Sequence, residues 1–298
     1  MAWELGDKTL TLDRPRLMAI LNVTPDSFYD GGALPDVESA VRRAIECIEQ
    51  GADMLDVGGE STRPGSARVD PDEQIRRVAP VVAAIRAAAP TIPISVDTTR
   101  SAVAAAALDA GADAINDVSG ATEDPAMLDM VAARGCGLIL MHRLTTPDRD
   151  SYSDEYRRPP EYTDVADDVR RYLTDRVARA TRVGIAPERI LIDPGLGFGK
   201  SVQQNLELIR RTGELSGIGA GVLSGISRKS FTRGVGASVG GDPADRLSAT
   251  LALGVMHLLA GARLFRVHDV AEHAGALGSA WAVGKPARER VSWGPDER

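Results

Sequence analysis

Eight short apolar runs recur along this 298-residue chain, each followed by a longer, alanine-rich amphipathic segment. The runs lie near 17–22, 54–58, 93–97, 114–118, 137–142, 189–193, 221–226 and 264–268. They read as strands apolar on both faces, the pattern of a parallel sheet covered by helices. The segments between them, near 37–50, 73–88, 100–109, 125–134, 163–183, 203–213, 244–260 and 270–283, carry the helical period. Eight such units close a (β/α)8 barrel, and barrels of roughly 250 residues are single domains. An open doubly wound sheet rarely holds so many units without a second domain, and no linker breaks this chain. The expected fold is therefore α/β, a (β/α)8 TIM barrel, with residues 1–298 as one domain. A short N-terminal β-hairpin near 3–13, turning at Gly6-Asp7, precedes the barrel, and a tail near 284–298 follows it.

In such a barrel the functional face is built at the C-terminal ends of the strands. Here those ends deliver Asn22, Asp56, Ser95, Asp97, Asn116, Asp117, Met141, His142, Asp193, Arg266, His268 and Asp269. They also deliver two longer loops, Gly58-Gly-Glu-Ser-Thr-Arg-Pro-Gly65 and Ser227-Arg-Lys-Ser230. Asp56, Asp97, Asn116, Asp117 and Asp193 make an acidic and amide wall. Arg63, Lys229, Arg266 and His268 make a cationic group beside it. Such a wall suits a flat heterocycle rich in N–H donors, such as a pterin or guanine edge, whereas the cations suit a phosphate or diphosphate. Asn22 suits Mg2+ held partly by substrate phosphates, as that ion commonly is.

The run Ile190-Leu-Ile-Asp193-Pro-Gly-Leu-Gly197-Phe-Gly199-Lys200-Ser201 ends like a phosphate loop, but its spacing excludes one. A Walker-type loop needs glycine five residues before Gly199, and Pro194 stands there. Its carboxylate, at the end of a buried strand, is the informative residue. Lys200 is expected at the surface. No His/Cys set has zinc-ligand spacing, and no Gly-x-Ser-x-Gly elbow occurs.

A net charge of −7 argues against general nucleic-acid binding. No apolar run approaches the ~20 residues needed to span a bilayer. The N-terminus has neither a basic region nor an apolar signal core. Cys47 and Cys136 read as buried free thiols in a reducing cytoplasm. The stretch 143–162, rich in Asp, Arg, Pro and Tyr, follows a strand end and reads as a flexible lid. Asp117 and Asp269 fit helix caps, His257 and His273 fit structural positions, and His142 fits either packing or ligand contact.

Seven pieces in order resemble dihydropteroate synthase. They are Leu21-Asn-Val-Thr-Pro-Asp-Ser-Phe28, Gly58-Gly-Glu-Ser-Thr-Arg-Pro-Gly65, Ser95-Val-Asp97, Ile115-Asn-Asp-Val-Ser-Gly120, Asp193-Pro-Gly-Leu-Gly-Phe-Gly-Lys200, Ser227-Arg-Lys-Ser230 and Arg266-Val-His-Asp269. The resemblance runs from about residue 16 to 283 and implies a (β/α)8 enzyme, usually a homodimer. It implies that 6-hydroxymethyl-7,8-dihydropterin diphosphate and 4-aminobenzoate are joined with release of diphosphate, in folate synthesis. By the same resemblance, Asp97, Asn116, Asp193 and Lys229 hold the pterin. Asn22 with Mg2+, Arg63, Arg266 and His268 hold the diphosphate. Phe28, Thr62, Pro64, Phe198 and Ser230 line the aminobenzoate pocket. Asp97, Lys229 and Arg63 form the catalytic set, and sulfonamides, which mimic aminobenzoate, are expected to bind.

One departure stands out. After the fifth strand this family usually carries a His-Met-x-Gly-x-Pro-like turn, and here it reads His142-Arg-Leu-Thr-Thr-Pro147. Two other readings stay open: a methyltetrahydrofolate-type methyltransferase barrel, and a non-catalytic pterin-binding paralogue.

Overall fold

A computed structural model describes residues 1–23, 36–235 and 246–284. The eight expected strands form a closed parallel barrel: β3 (Arg16–Asn22), β4 (Met54–Gly58), β5 (Ile94–Asp97), β6 (Ala114–Asp117), β7 (Gly137–Met141), β8 (Ile190–Asp193), β9 (Gly221–Ser224) and β10 (Leu264–Val267). They pair in chain order, and β10 closes the ring onto β3. The helices are α1 (Val37–Glu49), α2 (Pro71–Ala88), α3 (Ser101–Asp109), α4 (Met127–Arg134), α5 (Val165–Arg182), α6 (Val202–Arg210), α7 (Leu247–Leu259) and α8 (Val270–Gly284). The tail beyond α8 lies outside the described residues.

Local chemistry sets several boundaries. Ser201 and Gln204 form a reciprocal capping box that starts α6. That helix ends earlier than expected and tightens into a 3-10 turn over Thr212–Leu215. Helix α4 starts later than expected, because the Asp124 carboxylate accepts the Ala126 N–H at 3.0 Å in the preceding turn.

Alternation along the strands divides two cores. Leu17, Ala19, Leu21, Leu55, Val57, Ile94, Val96, Phe265 and Val267 face outward and pack beneath the helices. Met18, Met54, Ala114, Ile139, Leu191, Leu223 and Leu264 face inward at the N-terminal end. There they meet Trp3, Leu5, Leu10 and Leu12 of the hairpin β1 (Ala2–Leu5) and β2 (Lys8–Thr11). The hairpin therefore plugs one mouth of the barrel. Trp3 is fully buried and its Nε1 donates to the Arg189 carbonyl at 2.9 Å. Gly137 is required beneath it, since a Cβ there would lie 2.5 Å from Leu5 Cδ2. With the lower layer filled by apolar groups, polar chemistry is confined to the opposite mouth.

Candidate active site

Two residues above the apolar layer, the inward side chains become polar. Asp56 on β4 is wholly buried. Its Oδ1 accepts from Ser95 Oγ at 2.5 Å, and its Oδ2 accepts from Asn116 Nδ2 at 3.2 Å. The parallel register supplies this contact, setting Asp56 beside Ser95 and Asp97 beside Asn116. From β10, two strands round the ring from β4, Arg266 Nε donates to Asp56 Oδ2 at 2.6 Å and Nη2 to Asp97 Oδ2 at 2.9 Å. The structure thus brings together Asp56, Asp97, Asn116 and Arg266. The acidic wall and the cationic group, expected side by side, here share one buried network. Burial pushes the Asp97 carboxyl above the usual range and Asp56 adds to this, while Arg266 opposes it. Burial also raises Asp193, whose Oδ1 accepts the Gly195 N–H at 2.7 Å.

The loop after β8 folds over a buried amine. Lys200 is fully buried, contrary to the surface position expected for it. Its Nζ sits 3.0 Å from His142 Nδ1 and donates to the Gly195 and Phe198 carbonyls, each at 2.9 Å. Burial pushes its pKa down to about 7. Gly195, at φ +69°, is forced by the turn, since a Cβ there would lie 1.7 Å from the His142 carbonyl oxygen. His142 is accordingly a packed residue, stacked edge-on against Tyr172 at 4.9 Å. Phe198 is buried with Val118 and Met141. Lys229 Nζ lies 3.8 Å from the centre of its ring, a cation–π contact. Burial and the nearby Arg266 bring Lys229 down to about 8, against the pull of Asp193 and Asp97.

Lys229 reaches the mouth because Arg228 takes the left-handed backbone region, φ +58°, which is uncommon outside glycine. Arg228 is anchored there by the Asp269 carboxylate, with Nε to Oδ2 at 3.0 Å. Asp269 is therefore an ion-pair partner for the turn that presents Lys229. Asp117 caps a turn, its Oδ1 accepting from Ser119 N at 2.7 Å and Ser119 Oγ at 2.6 Å. Burial raises Asp117 to about 6.

His268 corrects one expectation. Burial, with Arg266 and Arg228 nearby, lowers its pKa to about 3, so it is a neutral imidazole and not part of a cationic group. Its Nδ1 lies 3.0 Å from Ser227 Oγ, which leaves Nε2 as the ring nitrogen able to meet a ligand. His257 and His273 are structural as expected, with Nδ1 at 2.9 Å from Ser224 Oγ and 2.6 Å from the Asp269 carbonyl respectively.

The loop after β4 borders the same mouth. Thr62 lines a cleft with Asp97, Thr98, Val118 and Pro147. Arg63 is exposed, and among the described residues its guanidinium makes no ion pair; Pro64 is half-buried beside it. Neither is joined to the buried network. Ser230 is buried and its Oγ accepts the Ser153 N–H at 3.0 Å. Asn22 ends β3, half-buried, with its Oδ1 beside Gly58, where an added Cβ would lie 3.5 Å away. Among the described residues no group of three His, Cys, Asp or Glu could hold a metal. A single neutral amide oxygen on a half-buried Asn22 fits a magnesium ion bound mainly through a diphosphate. Phe28 lies outside the described residues.

Sequence reasoning missed one cluster. Arg143, standing where the family usually has methionine, and Arg68 both pair with Glu123 Oε1, while Thr99 Oγ1 donates to Oε2 at 2.7 Å. Glu123 thus joins the loops after β4 and β7. Only the departure at Arg143 marks this in the sequence.

The pterin binding enzyme family matches residues 18–268. A probable bifunctional folylpolyglutamate synthase/dihydropteroate synthase of Haloferax volcanii is 46% identical over 276 residues, 93% of this chain but only 31% of that longer protein. The dihydropteroate synthase of Escherichia coli K12 is 41% identical over 269 residues, 90% of this chain and 92% of its own. Dihydropteroate synthase of Xanthomonas albilineans with 4-aminobenzoic acid superposes with a TM-score of 0.85 at 41% identity, covering 96% of this chain and 99% of that one. Its complex with 7,8-dihydropteroate gives 0.83 at 39%, covering 96% and 100%.

Proposed function

The chain belongs to the dihydropteroate synthases of the pterin binding enzyme family, and on that premise we propose how its barrel mouth carries out their reaction. It joins 6-hydroxymethyl-7,8-dihydropterin diphosphate to 4-aminobenzoate and releases diphosphate. The bond from the pterin methylene carbon to oxygen breaks, and its electron pair leaves with diphosphate. The amine lone pair then forms the new C–N bond, and the amine's proton passes to solvent.

In this reading Asp97, Asn116, Asp193 and Lys229 hold the pterin ring. Asp97 stabilises the positive methylene as the leaving group departs. Arg266, Arg63 and neutral His268 hold the diphosphate. Thr62, Pro64, Phe198, Ser230 and Phe28 line the aminobenzoate pocket. The observation that carries the reading is the Arg266–Asp97 contact of 2.9 Å. It supports a site where opposite charges separate in a pocket sheltered from water, where fixed charges act strongly. Arg266, held by two carboxylates, is available to a diphosphate once ring N–H groups take its place on them. Asn22 would hold Mg2+, which when bound would neutralise charge on the departing diphosphate.

A homodimer is proposed on the family resemblance; exposed Met256 and Leu259 on α7 and Val283 on α8 would suit the covered face. A cytoplasmic location is supported by the two buried free thiols, Cys47 and Cys136. No helix among the described residues is long and apolar enough to cross a membrane.

The test is diphosphate release from the pterin diphosphate with Mg2+, in the presence and absence of 4-aminobenzoate, with Asp97→Asn as control. Release that is accompanied by coupling to the amine and is lost in the variant supports the reading. Tight pterin binding without release would favour a non-catalytic pterin-binding protein.

A further inference from the structure

Residues 147–162, within the 143–162 stretch that reads in the sequence as a flexible lid, are fastened to three separate loops of the mouth. The Pro147 carbonyl accepts the Gly65 N–H at 2.8 Å, on the loop after β4. Asp150 Oδ2 accepts the Gly199 N–H at 2.9 Å, on the loop after β8, and Tyr162 donates its hydroxyl to the Gly199 carbonyl at 2.9 Å. Ser153 N donates to Ser230 Oγ at 3.0 Å, on the loop after β9, and Asn205 Nδ2 secures Ser153 Oγ at 3.2 Å. Those three loops are the ones that carry Thr62 and Pro64, Phe198, and Ser230.

From this coincidence we infer that residues 147–162 form a strap that presets the pocket for the second substrate, with Asp150 and Ser153 as its positioning residues. This deepens the proposed function and rests on it for the identity of that substrate. Each loop alone is free to shift at its tip, and a pocket made from three such tips must pay ordering entropy when its ligand arrives. The strap fixes their spacing beforehand. Asp150 also accepts the Tyr156 hydroxyl on its other oxygen, so its carboxylate is itself held in place.

Two measurements on the full chain test this. In steady-state kinetics, Asp150→Ala should raise KM for 4-aminobenzoate by about tenfold, the effect of one lost positioning hydrogen bond, and leave KM for the pterin diphosphate within about twofold. Asp150→Asn, which keeps an oxygen for the Gly199 N–H, should recover most of the loss. Ser153→Pro removes the donor to Ser230 and should shift the same KM alone. In hydrogen exchange, Asp150→Ala should speed the amides of residues 195–201 and leave those of β5 protected. Unchanged exchange at 195–201, or a joint rise in both KM values, would overturn the strap. A wild-type protein with no turnover would overturn the proposed function alone, because the exchange experiment still decides whether the strap exists.

Discussion

Arg266 Nη2 donates to Asp97 Oδ2 at 2.9 Å, joining residues 169 positions apart across the open mouth of the barrel. Its Nε reaches Asp56 at 2.6 Å, so one guanidinium bridges two buried carboxylates. Removing one partner of a buried pair leaves an uncompensated charge, which costs about 3–5 kcal/mol. Arg266→Met should lower unfolding free energy by about that amount in urea at neutral pH, with less loss in Asp97→Asn/Arg266→Met. A loss in the double variant equal to the sum of the two single-variant losses would show that the pair is not coupled.

The alkaline limb of the reaction should belong to Lys229. Burial and Arg266 bring this amine down to about 8, so it is charged below that pH and neutral above it. If the charged form serves the pterin and diphosphate, kcat/KM falls as pH rises through about 8. Lys229→Arg, which stays charged, should move the limb to higher pH whatever its effect on the plateau.

Lys200 should show itself in stability and not in chemistry. Its folded pKa of about 7 lies below the ordinary 10.5. Between those values the unfolded chain binds the proton and the folded protein does not, so stability rises with pH over that window and is lost as pH falls through about 7. The slope for one proton is at most about 1.4 kcal/mol per pH unit. Lys200→Met removes that slope, which pH-dependent urea unfolding would detect as a flatter profile.

The hairpin plug should matter for stability alone. Trp3→Ala opens a cavity among Met18, Met54 and the other residues of the lower layer. It should cost about 3–5 kcal/mol in denaturant unfolding. Both KM values should stay near those of the parent at a temperature where the variant is folded, because the plug sits at the opposite mouth from Asp97.

Much of this architecture was legible in the chain. The strand and helix pattern placed Asp56, Asp97, Asn116, Asp193 and Arg266 at the C-terminal ends of barrel strands, because such periodicity is local. What escaped was decided by packing across the barrel. Nothing near Lys200 in sequence shows that the His142 turn closes over it. Nothing near His268 shows that burial beside Arg266 and Arg228 will keep it neutral. The docking of residues 147–162 was hidden for the same reason. Its polar composition suits solvent, yet Ser153 is buried between Ser230 and Asn205. Phe28, legible only through the family resemblance, lies outside the described residues.

The central claim is that the carboxylate wall and its guanidinium catalyse condensation of a pterin diphosphate with an aromatic amine. Mass-spectrometric detection of dihydropteroate tests it most directly, with purified chain, both substrates and Mg2+ in a single incubation. Product is expected in equal amount to diphosphate, formed only with 4-aminobenzoate present, suppressed by a sulfonamide and absent with Asp97→Asn. Diphosphate release without dihydropteroate, or undiminished product from Asp97→Asn, would contradict it.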